Sequence, residues 1–240
     1  QQFIKMQFSR FTQDEYYLIW DSDTIPVRHV SFFDSELKPV FDLRNFTDPY
    51  YYDSMMKLLP FIYTPYEKSF VTEHIIVNSQ YMRECLDEIE SRDMFCGDNF
   101  QEKVMYAVRE DYLPSTGFSE YETYGNFTVA KHPGSYVMRE WHSLRTMRRL
   151  WDNASSISEE EIIWLATKYD AISIEKWQGP TKRTYLAKSK IFRALFPPTV
   201  LAYEGQLTRL PARIIIPKKF RPYVKRIISR IMFFFHGSTN

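Results

Sequence analysis

The 240-residue chain is poor in glycine, with 7, and in cysteine, with 2. The few glycines are scattered, which excludes a glycine-rich loop that cradles phosphates, so any nucleotide must be held by side chains or a metal. Cys85 and Cys96 alone make neither a disulfide framework nor a zinc-site spacing, and a reducing compartment is the expectation. No apolar run reaches the ~20 residues of a membrane-spanning helix, and no secretory leader is visible. Sequons at Asn45, Asn126 and Asn153 would matter only in a secretory lumen and are read as chance. There is no initiator methionine, and Gln1 enters a helix partway. The chain is therefore expected to begin inside a larger protein.

What is present describes an ordinary globular chain with an unusual tail. Hydrophobic residues make up 44% and charged residues 25%, which suits one substantial core with an appendage. The formal net charge of +1 conceals an asymmetry. Residues 1–178 carry 18 Lys and Arg against 29 Asp and Glu, a balance of −11; residues 179–240 carry 13 against one, a balance of +12. Gly179-Pro180 marks the boundary, so the expected domains are a core, 1–178, and a basic, proline-interrupted tail, 179–240. In 221–235 of that tail, Val224, Ile227, Ile228, Ile231 and Phe235 share one helical face while Arg221, Lys225, Arg226 and Arg230 lie elsewhere. A basic amphipathic helix points to an anionic membrane surface, with packing on the acidic core or a partner chain as the plain alternative. No recognised module accompanies the charge, so nucleic acid is not expected as a partner.

The stretch that organises the chain is 16–26. Tyr16 to Trp20 reads as a short buried strand covered on both faces, and Asp21-Ser22-Asp23 then ends it, with Pro26 barring continuation of a central strand. Ligands of open α/β sheets bind just outside the carboxyl ends of strands. Two carboxylates one residue apart at such a place suit Mg²⁺ or Mn²⁺, hard ions that keep waters and hold substrate phosphates. The plain alternative is an acidic turn.

At these residues the chain resembles glycosyltransferases of the GT-A fold, whose D-x-D segment often reads as an apolar strand followed by D-S-D-T. The wider pattern resembles a group of bacterial GT-A-like proteins through Gln1-Gln2-Phe3-Ile4-Lys5, Trp20-Asp21-Ser22-Asp23-Thr24, Phe32-Phe33-Asp34, Glu73-His74 and Phe118-Ser119-Glu120-Tyr121-Glu122-Thr123-Tyr124-Gly125. The resemblance covers roughly residues 1 to 178. It implies an α/β, Rossmann-like mixed sheet flanked by helices. It also implies Mn²⁺ or Mg²⁺ on Asp21 and Asp23, and a nucleotide-sugar whose diphosphate the metal holds, with Trp20, Ser22 and Gln2 as donor contacts. The strands and helices that hold the nucleotide base in that fold would lie largely upstream of Gln1. The 17 tyrosines suit sugar-compatible surfaces, since a Tyr ring stacks while its hydroxyl bonds, although an aromatic-rich core explains many of them equally well.

The rest of the chain supplies further candidates. Residues 1–12 read as a helix with Ile4, Phe8 and Phe11 on one face. A second extended piece is expected at 29–33. Asp48 and Pro49 start a helix to about Leu59, and 69–78 is strand-like. Glu73 and His74 interrupt that apolar run; they either find partners in the interior or face a cleft as acceptor-binding residues. A helix with Met82, Leu86 and Ile89 inward follows over 79–91. Asp98 with Gln101 resembles a capping box for a helix to Glu110. Ser119 and Glu122 have the same S-x-x-E spacing, which gives Glu122 a capping role and puts Glu120 at the first helical position, where the helix dipole keeps a carboxylate ionised. The resemblance makes Glu120 the first candidate for the base that deprotonates the acceptor hydroxyl, and Glu122 the second. It also suggests that a histidine completes the metal site: His142 first, near the end of an extended segment at 136–144, and His132 second, just before it. Ser158 and Glu161 cap a helix to about Lys168, and 169–177 reads as a last strand.

The function implied is transfer of a sugar from a nucleotide-sugar to a glycan or other hydroxyl acceptor, in the cytoplasm or on the inner face of the membrane. Two other classes fit parts of the pattern. A phosphatase of the haloacid dehalogenase type also ends an apolar strand in D-x-D, but this chain has Ile25 where Thr or Val is usual. A non-catalytic binding protein, or a fragment of a transferase, would keep the metal turn without a nucleotide half.

Overall fold

The computed structural model describes residues 1–46, 48–113, 117–145, 147, 151, 153–174 and 187–200. The expected tail helix at 221–235 lies outside them. The chain divides into two compact units, one of Gln1–Arg145 with Tyr169–Glu175, the other of Thr146–Lys168 with Lys176–Asn240.

The first unit is a mixed α/β structure built on small sheets. Its helices are α1 (Gln2–Gln7), α2 (Pro49–Leu58), α3 (Ser79–Glu90), α4 (Phe100–Ala107) and α5 (Glu120–Lys131). Its strands are β1 (Tyr16–Trp20), β2 (Thr24–Pro26), β3 (Val40–Leu43), β4 (His74–Asn78), β5 (Val137–Glu140), β6 (Ser143–Leu144) and β7 (Ala171–Ser173). β1 pairs antiparallel with β4, from Tyr16 opposite Asn78 to Trp20 opposite His74. β3 and β5 run parallel, and β2, β7 and β6 form a three-stranded sheet in that order.

The core explains the order. β3 and β4 are buried along their whole length, and Ile75, Val77, Phe41 and Leu43 join Met55, Leu58, Met82, Leu86, Val104 and Tyr124 from the helices. α5 is buried from Glu120 to Thr128, and polar side chains along it are bonded inside. Thr123 and Thr128 donate to the carbonyls of Ser119 and Tyr124, four residues back, and the Asn126 carboxamide accepts from the Tyr66 N–H. Gly125 lets this helix meet Phe70 face to face: a Cβ there would fall 2.3 Å from the ring.

Several sequence expectations are met, with shifted ends. Asp48 caps α2 through the Tyr50 N–H, with Pro49 in the first turn, and Met82, Leu86 and Ile89 are buried on α3. Others are corrected. β1 is not covered on both faces: among the described residues it has one neighbour strand, and Leu18 is 41% exposed. The helix expected over 1–12 is shorter, since α1 ends at Gln7, and Ile4 on it and Phe11 beyond it lie outward, 74% and 73% exposed. Met6 is buried there instead, and Phe3 packs on Phe100 and Phe118. The extended piece expected at 29–33 is not a strand; the strand is β2, where Pro26 is tolerated because β2 is an edge. Asn99, not Asp98, caps α4, and Glu102 returns the bond to the Asp98 N–H. β3 went unrecognised because Asp42 interrupts its short apolar run.

In the second unit the capping box expected of Ser158 and Glu161 is present in both directions and starts α6 (Glu159–Ala166). The Trp151 indole donates to Glu161, and the Trp164 indole donates to the Phe196 carbonyl beyond α7 (Lys190–Leu195).

Candidate active site

The site begins where β1 ends. The Asp21 N–H donates to the Glu73 carbonyl (2.8 Å), which prolongs the β1–β4 ladder by one bond. The chain then turns over 21–24, closed by the Thr24 N–H on the Asp21 carbonyl (3.0 Å), and enters β2. This turn exposes Ser22 and Asp23 at its tip and leaves Asp21 half-buried at its base. Trp20 is held by its indole N–H on the Thr24 carbonyl (2.8 Å).

Facing Asp21 is the first turn of α5, and Lys5 from α1 joins the two. The Lys5 ammonium donates to Asp21 Oδ1 (2.6 Å), Glu120 Oε1 (2.7 Å) and the Tyr121 hydroxyl (3.1 Å), spending all three of its hydrogens. The Tyr121 hydroxyl in turn donates to Asp21 Oδ1 (2.9 Å). Burial is the largest influence on Lys5 and opposes its charge. The Glu120 charge and the bonds to Asp21 and Glu120 together outweigh it, so the ammonium is held above the ordinary lysine range. Burial, reinforced by the Asp21 and Glu120 charges, pushes the Tyr121 phenol far up, so it remains a neutral donor. Gln2, expected to touch the nucleotide-sugar, instead spends its amide on the Phe118 carbonyl (2.9 Å) and ties α1 to the entry of α5.

Glu120 and Glu122 differ sharply. Ser119 caps the helix through the Glu122 N–H, as the spacing predicts. The Glu122 carboxylate does not return to the cap, however. It accepts from the Ser69 hydroxyl and from the Asn126 amide (3.2 Å), fully buried. Burial pushes it up to about 7, against the opposing bonds from Ser69, the Phe70 N–H and Asn126. That carboxylate is spent inside the protein, whereas Glu120, 3% exposed, borders Asp21 through Lys5.

Glu73 and His74 find their partners inside. Glu73 accepts from Arg44 (2.9 Å), Arg145 (3.2 Å) and the Trp141 indole (3.0 Å), with its backbone at a φ of +67°. The two ring nitrogens of His74 lie within hydrogen-bond reach of the Thr72 carbonyl (3.0 Å) and Asp42 (2.9 Å). Asp42 also receives Arg139 in a two-pronged pair, both bonds 2.7 Å. Neither Glu73 nor His74 offers a side chain to an acceptor; both brace the base of the turn. This Asp42–His74–Arg139 group escaped the sequence, although a charge inside Val-Phe-Asp-Leu was its signal.

The histidines expected to complete a metal site do not reach the turn. Ile174 donates to the Asp23 carbonyl at one end of the β2–β7 ladder, and Val27 donates to the Asp170 carbonyl at the other. His142 sits beside Asp170 at that far end, about 13 Å along the strand from Asp23. It lines a separate cleft of about 280 Å³ with Arg28, His29, Arg139 and Trp141. His132 ends α5, about 18 Å along the axis from Glu120, and stacks on Tyr81. Among the described residues no group of three or more His, Cys, Asp and Glu converges on one point. What the turn offers is two hard oxygen donors: Asp23, which no described residue bonds through its carboxylate, and Asp21, held by an ammonium and a phenol. That set fits a divalent ion whose remaining positions go to water and substrate phosphates.

Fold and site thus define a mixed α/β protein with an acidic turn at a strand's carboxyl end, joined through one lysine to the start of a buried helix. The chain belongs to DUF6492, a family of unknown function that it matches over residues 1–196. No curated protein matches it. Among the described residues no helix is long and apolar enough to cross a membrane.

Proposed function

We propose that the chain is a metal-dependent glycosyltransferase of the GT-A type, moving a sugar from a nucleotide-sugar to a hydroxyl acceptor in glycan or surface polysaccharide synthesis. One observation carries the reading. The two stretches singled out separately in the sequence, Asp21-Ser22-Asp23 and the start of α5, meet across 100 positions in the Tyr121–Asp21 hydrogen bond. Asp21 and Asp23 would hold Mn²⁺ or Mg²⁺. Such an ion, when bound, supplies positive charge against a leaving diphosphate. Glu120, at the first position of α5, would accept the proton of the acceptor hydroxyl. Trp20 and Ser22 stay beside the turn as donor contacts. The basic segment 221–235 would rest the protein on an anionic membrane surface on the cytoplasmic side.

The test is thermal stability with Mn²⁺, alone and with UDP-, GDP-, CMP- and dTDP-sugars, beside an Asp21→Ala/Asp23→Ala double variant. A ligand of the native state raises the melting temperature by mass action. A rise with one nucleotide, requiring both the metal and the aspartates, is expected and names the donor. A metal effect with no nucleotide effect would turn the reading toward a binding protein. Hydrolysis of small phosphate esters without nucleotide preference would turn it toward a phosphatase.

A further inference from the structure

We propose that Lys5 is a built-in counter-cation that competes with the divalent ion for Asp21, so that metal affinity is set by how readily this one lysine lets go. The inference rests on the two-aspartate reading of the turn and adds a residue that the reading does not need.

The geometry is specific. Lys5 reaches Asp21 Oδ1, at 2.6 Å, and Tyr121 donates to the same atom. Both donors therefore crowd one oxygen of the residue that should hold the ion. An ammonium and a divalent cation on this one carboxylate repel strongly, being like charges a few ångströms apart in a half-buried site. Asp21 is accordingly committed to Lys5 when no ion is present, whereas the Asp23 carboxylate is bonded by no described residue. Lys5 is also not stranded by an exchange. It still has Glu120, at 2.7 Å, and the face of the Tyr121 ring, 4.7 Å from ring centre to nitrogen. Its four-carbon stem is flexible enough to re-centre on them. The exchange would thus move the ammonium from a place between two carboxylates to a single pair with Glu120, which links metal loading to the charge around the candidate base. A purely structural lysine makes the opposite prediction, because its removal would loosen the turn and weaken any metal site there.

The experiment measures Mn²⁺ affinity directly, by the free-ion electron paramagnetic resonance signal, on the full chain. The variants are Lys5→Met, Lys5→Arg and Lys5→Met with Asp21→Asn. A charged hydrogen bond lost from the competing state predicts that Lys5→Met binds about tenfold to hundredfold more tightly than the unaltered protein. Lys5→Arg should stay near the unaltered affinity, and Asp21→Asn should cancel the gain. The unaltered protein gives a second readout that needs no substitution. The Lys5 ammonium, shielded by its three partners, should give an observable ¹H–¹⁵N signal, and Mg²⁺ should shift it at the concentration at which Mg²⁺ binds. Equal or weaker affinity in Lys5→Met, or an ammonium signal that stays put while Mg²⁺ binds, overturns the competition and leaves the metal reading standing. If neither the unaltered protein nor any folded variant binds Mn²⁺ or Mg²⁺, the metal reading and the competition fall together.

Discussion

The carboxyl of Glu122 predicts a pH dependence that can be worked through. In the folded protein, burial lifts it from an ordinary 4.5 to about 7. Between those two values the native state keeps a proton that the unfolded chain has released. Unfolding stability therefore falls as pH rises from about 4.5, and the loss is complete above about 7. A shift of that size corresponds to about 3 kcal/mol of stability removed across the window. The perturbation is Glu122→Gln, which keeps the shape and removes the titration. A glutamine still accepts from Ser69, but its own NH₂ then faces the Asn126 amide, where the carboxylate accepted at 3.2 Å. That donor-to-donor contact costs a constant amount at every pH, so the informative quantity is the difference in slope. Urea unfolding of both proteins at half-unit steps from pH 4.5 to 8 should show the variant gaining about 3 kcal/mol on its parent over that range, whatever its offset. Parallel curves would refute the reasoning and mean that Glu122 is ionised in the native state or that its surroundings open to water.

Two further outcomes follow from close packing and buried charge. Gly125→Ala should cost about 2 kcal/mol in urea unfolding, because the new methyl falls on the Phe70 ring, and adding Phe70→Leu should recover part of that loss. Asp42→Ala should cost about 3 kcal/mol, because it strips the buried acceptor from both His74 and Arg139; Arg139→Met beside it should cost less than the two losses summed.

Much of the fold was legible wherever a residue type has one local use. Asp48-Pro49 and Ser158 with Glu161 mark helix starts because a cap must accept a free N–H and Pro lacks one, and neither needs the rest of the molecule. Periodicity placed α3 for the same reason. It did not settle the buried side of α1, where Ile4 is in register with Phe8 and Phe11 past the helix end but Phe3 and Met6 turn inward. A six-residue helix is too short for its pattern to choose a face. At the site, the acidic turn and the α5 start were each visible, yet nothing local says that they meet. Lys5 sat in the string that resembled other proteins, without a role, because an ion pair across 115 positions is a product of the fold. Glu122 read as a capping partner because spacing shows the backbone neighbour and hides Ser69, brought in by Phe70 resting on Gly125.

Residue 73 holds its backbone at +67°, a conformation that glycine takes freely and glutamate takes at a cost of about 1 kcal/mol. Glycine would relieve the chain there, but it would take away the one carboxylate that Arg44, Arg145 and Trp141 share. The same residue offers its carbonyl to Asp21. Position 73 is thus a rivet under two opposed loads, and no single amino acid satisfies both. Random drift or deliberate stabilisation that favours the backbone would take a carboxylate partner from Arg44 and from Arg145. A change that favours the side chain inherits the awkward angle. The orientation of Asp21 is tuned by a compromise made fifty-two residues downstream.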